Sequence, residues 1–482
     1  MTTRRQFAAA LAGASLCTGE GESAGSTMRP NIVFVLTDDQ GYGDLACHGN
    51  PVIRTPNLDR LYEQSVRLTD YHVSPTCAPT RCALMTGRHE FLSGVTHTIF
   101  ERERMSPRAT TVAQVLHGAG YATGIFGKWH LGDAPAYQPN RRGFGEVFIH
   151  GCGGIGQDYP GTCSDAPGNT YFNPTILHNG VFERTQGYCT DVFFEQALRW
   201  IEEKSAGDAP FFAFITPNAP HAPLICPEEY QRMYKGKNLG EDVEKFFGMI
   251  TNIDDNVGKL MSRLNEWGLE RNTLLIFMTD NGGTAGVKVF NAGMHGAKVT
   301  PWQGGTRVPA FFRWTGTLQP GNVDKLTAHI DIFATLAEVA GAAVPPGAGV
   351  EGRSLLPLLR DHGAAWADRT LFTHVGRWEQ GKAAASKYTQ CSVRSARFSM
   401  VNIGPAKNWE LFDLQADPGE KVNVAAKYAA EARKLEAAYD QWWDAVLPRL
   451  ENEDATPPHV APYKELYWKQ FGGGPGYVGP RG

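Results

Sequence analysis

NIVFVLTDD, residues 31–39, is a continuous apolar run that ends in two aspartates. A run of this length without alternation is typical of a strand that is buried on both faces of a parallel sheet. Three further runs have the same form: YATGIFGKWH (121–130), PFFAFITPNAPHAP (210–223) and TLLIFMTDNGG (273–283). Helical patterns lie between the runs, at 55–65, 109–120 and 191–204. This alternation predicts an α/β fold in which helices sandwich a large, mostly parallel sheet.

Polar side chains follow each of the four runs, at the point where the predicted strand ends. In chain order they are Asp38, Asp39, Lys128, His130, His221, Asp280 and Asn281. Ligands of open α/β sheets bind outside the carboxyl ends of the parallel strands. A single Asp or Asn at such a position can be an ordinary turn former. Four strand ends with complementary chemistry instead predict one shared site at this edge of the sheet.

Changes of pattern along the 482 residues indicate two structural parts. We assign 28–365 to a catalytic α/β domain and 366–482 to a smaller C-terminal α+β subdomain. The short runs RTLFTH, QCSVRS and RFSMVN predict antiparallel strands, and a helical pattern follows at about 425–446. The Gly- and Pro-rich end, FGGGPGYVGPRG, predicts a flexible or surface-bound tail. Residues 145–190 show little periodicity, and we interpret them as a long inserted loop region that helps select the substrate.

The N-terminus has the form of a twin-arginine export signal, with Arg4 and Arg5 ahead of a short run of Ala and Leu. We therefore expect residues 1–27 to be a signal peptide and the protein to be periplasmic or extracellular. No later stretch is long and apolar enough for a membrane span. The net charge of −4 and the lack of a long basic block argue against nucleic acid as a partner.

Nine cysteines are too few for a disulfide scaffold at this length. An exported protein could pair Cys152 with Cys163, or Cys189 with Cys226, but buried thiols are an equal alternative.

The stretch CAPTRCALMTGR, residues 77–88, places a cysteine ahead of a proline and an arginine. It resembles the signature of the type I, formylglycine-dependent sulfatases of the alkaline phosphatase-like superfamily. The pentapeptide is Cys77, Ala78, Pro79, Thr80 and Arg81. The resemblance extends to VLTDDQGYGD (35–44), GKWHLG (127–132), PHAP (220–223), TDNGG (279–283), the Q-G-G-x-R stretch after Lys298 and ELFDLQADPGE (410–420).

The resemblance implies that a maturation enzyme oxidises Cys77 to formylglycine, which is then hydrated to a geminal diol. One hydroxyl attacks the sulfur of a sulfate ester and displaces the alcohol. The other hydroxyl then loses a proton, so the sulfo-enzyme intermediate returns to the aldehyde and releases sulfate. By the same resemblance Arg81 braces the diol and Lys128 bridges the diol and the sulfate. His130 takes the proton during elimination. His221 and Lys298 contact the sulfate and the leaving oxygen, and one of them acts as general acid.

The acidic residues resemble the metal site of the same family. Asp38, Asp39, Asp280 and Asn281, with residue 77, would supply its ligands. Ligation by oxygen alone suits a hard cation, so we expect Ca²⁺, with Mg²⁺ as the second candidate. The absence of a Cys/His set at zinc spacing argues against Zn²⁺.

Two positions depart from the family pattern. Gln303 stands where the family usually has Glu, and His295 stands where many members have a small residue or arginine. We expect His295 to contact the substrate.

The sequence motifs are also compatible with other functions. Phosphate or phosphonate ester hydrolases share the fold and the metal site. A chain that binds sulfated glycans without hydrolysing them, or a cysteine hydrolase that uses the thiolate, fits the motifs less well. The expected substrate is a sulfated carbohydrate, with small aryl or alkyl sulfates as the alternative.

Overall fold

Residues 31–37 form the middle of a ten-stranded sheet in the computed structural model of the chain. The structure describes residues 29–157, 159 and 161–475. The predicted signal peptide and the last seven residues of the predicted tail lie outside these residues.

The strands are β1 Asn31–Thr37, β2 Val66–Leu68, β3 Tyr71–His72, β4 Ala122–Lys128, β5 Glu146–His150, β6 Thr175–His178, β7 Val181–Arg184, β8 Phe211–Thr216, β9 Thr273–Thr279, β10 Ala310–Arg313, β11 Gly321–Val323, β12 Thr327–Ala328, β13 Leu371–His374, β14 Cys391–Arg394, β15 Phe398–Asn402 and β16 Glu410–Asp413. The α-helices are α1 Pro56–Glu63, α2 Cys77–Thr86, α3 Val112–Gly118, α4 Cys189–Ser205, α5 Glu228–Arg232, α6 Glu241–Glu266, α7 Gln303–Thr306, α8 Asp331–Val339, α9 Leu356–Arg360, α10 Ala429–Val446 and α11 Pro462–Phe471.

The order of strands in the large sheet is β11-β2-β10-β9-β1-β8-β4-β5-β6-β7. The central strands β9, β1, β8, β4 and β5 are parallel, whereas β10 and β6 run in the opposite direction. This confirms the prediction of a mostly parallel sheet. Thr37 pairs with Thr279 at the ends of β1 and β9, so the residues that follow these two strands leave the sheet side by side.

Both faces of β1 are buried, which explains why its sequence does not alternate. Ile32, Phe34 and Leu36 belong to a core that also contains side chains of α3 and α8. Val33 and Val35 belong to the opposite core, which contains side chains of α4 and α6. Successive side chains of a strand point to opposite faces, so a strand between two helical layers needs apolar residues at every position.

Residues 145–190 are only in part the loop region that we expected. They contribute β5, β6 and β7, and the β6–β7 pair is an antiparallel hairpin at the edge of the large sheet. Asn179 and Gly180 connect the hairpin and both have positive φ, 48° and 90°. Asn-Gly is the strongest short-range hairpin signal. The low periodicity of the surrounding sequence concealed it, because these strands are short and lie at an edge.

The C-terminal part contains the predicted antiparallel sheet, with the order β13-β14-β15-β16. Helix α10 packs on it through Leu435, Tyr439 and Trp443. Helix α11 was not predicted, and it returns to the large sheet. The amide of Gln470 bonds both backbone polar groups of Phe182 on β7, at 2.8 and 2.7 Å.

Cys163, Cys189 and Cys226 are thiols in the structure, so neither of the two considered disulfides is present. Among the helices in the described part of the chain, none has both the length and the hydrophobicity needed to cross a bilayer.

Candidate active site

The ends of β1 and β9 bring Asp38, Asp39, Asp280 and Asn281 together, as the sequence predicted. The backbone N–H of Asp39 donates to Asp280 Oδ1 at 3.3 Å, and the amide of Asn281 donates to Asp39 Oδ1 at 2.9 Å. All four residues are at most 3% exposed. Asp39 has a φ of 66°, a left-handed conformation that costs free energy in a residue other than glycine and is common at functional sites.

Cys77 is the first residue of α2 and faces this cluster. Thr76 before it is extended, and Pro79 stands in the first turn, where its missing N–H has no cost. The thiol is buried, with 2% exposure. Burial raises the pKa of the thiol, against the effect of Lys128 and Lys298. The free N–H groups at the start of this ten-residue helix favour an anion beside Cys77.

The acidic cluster has the donor atoms that a hard cation requires. Ligand atoms of Asp38, Cys77 and Asp280 all lie within 4.8 Å of one another, and so do those of Asp38, Asp39 and His221. Asp38 Oδ1 and Asn281 Oδ1 are buried and have no hydrogen-bond partner among the described residues. Buried oxygens that lack a donor carry a desolvation cost that a cation between them would offset. The residues therefore fit a divalent metal ion.

Each of the three carboxylates also has a cationic partner. Lys128 Nζ lies 2.6 Å from Asp38 Oδ2, and Lys298 Nζ lies 2.6 Å from Asp39 Oδ1. The guanidinium of Arg81 donates twice to Asp280 Oδ2, at 2.8 and 3.0 Å. Arg81 therefore contacts a predicted metal ligand in this structure. Its contact with the diol stays a prediction.

Burial and these partners shift the pKa values of the acidic residues in opposite directions. Burial raises the pKa of Asp280 to about 6, and neighbouring Asp38 adds to the increase, although Arg81 opposes it. Burial also raises the pKa of Asp39, but Lys298 and the hydrogen bond from Asn281 outweigh this effect and hold it well below its ordinary value. The same ion pair shifts the pKa of Lys298. Burial would lower its pKa, but Asp39 raises it above the ordinary value.

His130 reaches the site from the turn that follows β4. Strand β4 ends at Lys128, and His130 has a φ of 58°, which is a left-handed conformation and not an extended one. Its Nε2–H donates to the carbonyl oxygen of Thr98 at 2.9 Å. In the neutral imidazole this bond leaves Nδ1 unprotonated, and Nδ1 has no partner among the described residues. Burial and Lys128 lower the pKa of His130 well below its ordinary value.

His221 faces the cluster from the loop that follows β8. Its Nδ1–H donates to the carbonyl oxygen of Ala222 at 2.6 Å, and its Nε2 lies 3.8 Å from Asp39 Oδ2. Burial and Lys298 lower the pKa of His221 to about 3. The imidazole is therefore neutral before any ligand binds.

Backbone hydrogen bonds fix the position of Lys298 between the loop after Asp280 and the loop before Cys77. Its N–H donates to Gly283 in the loop after Asp280, and the N–H of Val299 donates to Pro75 in the loop before Cys77. Above these loops is a cavity of about 290 Å³ whose wall includes Cys77, His130, His221 and Lys298. The structure thus brings the predicted nucleophile, both histidines and this lysine to one pocket.

His295 lies outside this pocket, and its packing gives no support to the predicted substrate contact. Its ring stacks on Trp302 with centroids 4.1 Å apart, and Nδ1 lies 3.3 Å from the carbonyl oxygen of Glu420. Gln303 contacts the same C-terminal segment. Its side-chain amide donates to the carbonyl oxygen of Pro418 at 2.7 Å, and its N–H donates to Glu420.

Sequence reasoning missed several residues in or directly behind the pocket wall. Gly153 and Gly154 pack on the two histidines. A Cβ on Gly153 would lie 3.0 Å from His130 Cε1, and one on Gly154 would lie 2.8 Å from His221 Nδ1. The run CGGIG in the sequence was the available signal for this close approach. Arg377, which enters the pocket wall from the C-terminal sheet, had no such signal.

Comparisons with known proteins agree with this geometry. The family model described as "Sulfatase" matches residues 30–342, and that described as "N-sulphoglucosamine sulphohydrolase, C-terminal" matches residues 297–441. The chain is 31% identical to N-acetylgalactosamine-6-sulfatase of Rattus norvegicus, over 85% of this chain and 78% of that protein. It is 30% identical to arylsulfatase A of Homo sapiens, over 86% of each.

Among solved structures, the fold is similar to that of Ps i-CgsB in complex with k-i-k-neocarrahexaose. The TM-score is 0.79 and the identity 25%, over 92% of this chain and 97% of that chain. The matches span both the large sheet and the C-terminal part. This chain belongs to the sulfatase family, the enzymes that hydrolyse sulfate esters.

Proposed function

We propose that the protein hydrolyses the sulfate ester of a carbohydrate in the pocket above Cys77. The observation that carries the proposal is the position of Cys77. It stands at the start of α2, and its Sγ lies within 4.8 Å of carboxylate oxygens of Asp38 and Asp280. It also lines a cavity whose wall includes His130 and His221. An anion in this cavity would meet helix N–H groups and the amino groups of Lys128 and Lys298, and the imidazoles of His130 and His221 would flank it.

Formylglycine formed from Cys77 would supply the nucleophile that accepts the sulfuryl group. The side chain of Cys77 is buried in the folded protein, as is all of α2. A maturation enzyme would therefore have to act on residues 74–88 before α2 packs into the core.

Asp38, Asp39, Asp280 and Asn281, together with residue 77, would hold the metal ion. The ion, when bound, would polarise a sulfate oxygen and favour the ionised nucleophile. We infer Ca²⁺ in preference to Mg²⁺, because oxygens from two separate loops suit the more flexible coordination of Ca²⁺. The unpartnered oxygens of Asp38 and Asn281 support a cation at this position.

The two histidines are suited to different proton transfers. His130 is fixed by Thr98 with Nδ1 unprotonated, so it can accept a proton beside residue 77. His221 has its Nδ1–H committed to Ala222, which leaves Nε2 for a proton that it can donate to the leaving oxygen. A bound sulfate would oppose the lowering of the pKa of His221, because its negative charge stabilises the imidazolium. Lys128 and Lys298 would bind the sulfate.

A carbohydrate is favoured as the alcohol part of the ester. Tyr159 presents an exposed ring at the pocket wall, and Gln157 adds a polar group. The rat relative is named for an N-acetylgalactosamine sulfate, and the structural relative is in complex with k-i-k-neocarrahexaose. We also infer export through the twin-arginine pathway, from Arg4 and Arg5 ahead of the Ala/Leu run.

Two measurements test the proposal. Peptide mass spectrometry of residues 74–88 should find an aldehyde at position 77 in the active enzyme. Rates on a sulfate and a phosphate monoester with the same leaving group should favour the sulfate. Full activity with an intact thiol would overturn the role of Cys77, and a faster phosphate reaction would assign the site to phosphate esters instead.

A further inference from the structure

Arg377 is a cation in the pocket wall that the catalytic proposal does not use. It follows β13 in the C-terminal sheet and lines the same cavity as Cys77 and Lys298. Its guanidinium donates one hydrogen bond to Thr98 Oγ1 at 3.1 Å. Within the described residues no carboxylate lies within ion-pair distance of it, and the residue is exposed. Its other side-chain N–H groups have no hydrogen-bond partner among the described residues.

Arg377 lies close to His130, although the two residues belong to distant parts of the chain. Thr98 joins the two, because its carbonyl accepts from His130 and its hydroxyl accepts from Arg377. Buried Lys128 and partly buried Lys298 pair with Asp38 and Asp39, which places both lysines beside the proposed position of the scissile sulfate. A guanidinium at the rim is therefore available to a different part of the same substrate.

We propose that Arg377 binds a second anionic substituent of the substrate, a sulfate or a carboxylate, on the sugar that carries or adjoins the scissile sulfate. The planar guanidinium can donate two parallel hydrogen bonds to either group. Tyr159, which is 54% exposed on the same wall, presents an apolar ring to the sugar. The preferred substrate is thus a polyanionic saccharide. This inference rests on the proposed function and refines its substrate class.

The test compares three oligosaccharides that share one scissile sulfate and differ in the neighbouring substituent: a hydroxyl, a second sulfate or a carboxylate. We expect the wild-type enzyme to prefer at least one of the charged forms over the neutral form. Arg377→Gln should lower kcat/KM for that form by about 10- to 100-fold, the usual value of a charged hydrogen bond. The charged form whose kcat/KM decreases most in Arg377→Gln shows whether Arg377 binds a sulfate or a carboxylate. For a saccharide that is not cleaved, competition against an aryl sulfate gives the same comparison.

Lys382→Gln is the matched control, because Lys382 is an exposed cation of the same C-terminal segment that does not line the pocket. It should keep the full preference for the charged form. Equal wild-type kcat/KM for all three saccharides, or a preference that survives Arg377→Gln, would overturn the inference while leaving the sulfatase activity in place. Failure of the proposed function gives another result, namely no sulfate released from the saccharides or from the aryl sulfate, and it would overturn both.

Discussion

Lys128 Nζ lies 2.6 Å from Asp38 Oδ2, and both side chains are completely buried. This pair joins the end of β4 to the end of β1 across β8. The charge of Lys128, a predicted sulfate ligand, is therefore compensated by Asp38, a predicted metal ligand. Removing one partner of a buried pair leaves an uncompensated charge.

We therefore expect Lys128→Met to destabilise the metal-free protein by about 3–5 kcal/mol. Lys128→Met combined with Asp38→Asn should recover much of the stability and none of the activity. Denaturant unfolding of the chelated proteins measures this. Lys387→Met, which removes the partly exposed pair with Asp440, should cost at most about 1 kcal/mol. A buried-pair variant as stable as this control would contradict the prediction.

Asp280→Asn should remove both metal and activity. The ion would lose one carboxylate ligand, and a metal that stabilises charge by several kcal/mol corresponds to a rate loss of about 10²-fold or more. Asp331→Asn is the matched control, because Asp331 is also a buried carboxylate paired with an arginine, Arg369, at 2.6 Å, but lies on α8 outside the site. Elemental analysis should find metal in the control and not in Asp280→Asn. Equal metal content in both variants would reject the proposed ligand set.

Gly154→Ala should lower the rate, because its new Cβ would lie 2.8 Å from His221 Nδ1 and 2.9 Å from the carbonyl oxygen of Ala222. The ring would have to move, and a displacement of about 1 Å can cost about 10²-fold. Gly145→Ala, in the same part of the sequence, meets its nearest atom at 3.6 Å and should leave the rate unchanged. Steady-state kinetics of both variants measures the effect. An unchanged kcat for Gly154→Ala would show that the loop accommodates the new Cβ without displacing His221.

His221→Ala should slow the enzyme most with poor leaving groups. A general acid is typically worth about 10²–10⁴-fold where the leaving oxygen needs a proton, and little where it does not. A series of aryl and alkyl sulfates measures the dependence. If the same factor were lost on every leaving group, His221 would bind the sulfate and would not act as the acid.

Glu103 should make the stability of the protein depend on pH. It is completely buried and accepts from the N–H of Cys163 through Oε1, while Oε2 has no partner among the described residues. Burial raises its pKa to about 7. The folded state thus holds a proton that the unfolded state releases, so stability is greatest below about pH 4.5 and decreases as the pH rises to about 7.

This decrease should amount to about 3 kcal/mol for Glu103 alone. Glu103→Gln cannot ionise at this position and should flatten the dependence over the same pH range. Denaturant unfolding of both proteins at several pH values provides the comparison. Parallel curves would show that Glu103 does not hold the proton.

The main features of the site could be predicted from sequence because they are local. A strand between two helical layers must be apolar at every position, so β1, β4, β8 and β9 were visible as runs, and their ends marked the site edge. Cys77 and Pro79 at the start of α2 were visible for the same reason, since a helix start depends on a few neighbouring residues. The hairpin β6–β7 and helix α11 were missed, because both lie at the edge of the sheet, where burial imposes a weaker pattern.

The sequence by itself determined the fold class, the position of the predicted nucleophile and the group of acidic residues. Only the tertiary structure decided the protonation pattern of His130, because its partner, the carbonyl of Thr98, lies 32 residues away and is a backbone group that any residue could supply. The same holds for Arg377, which reaches Thr98 across 279 residues. Local sequence patterns record the burial and conformation of each segment, whereas contacts between distant segments depend on how the whole chain packs.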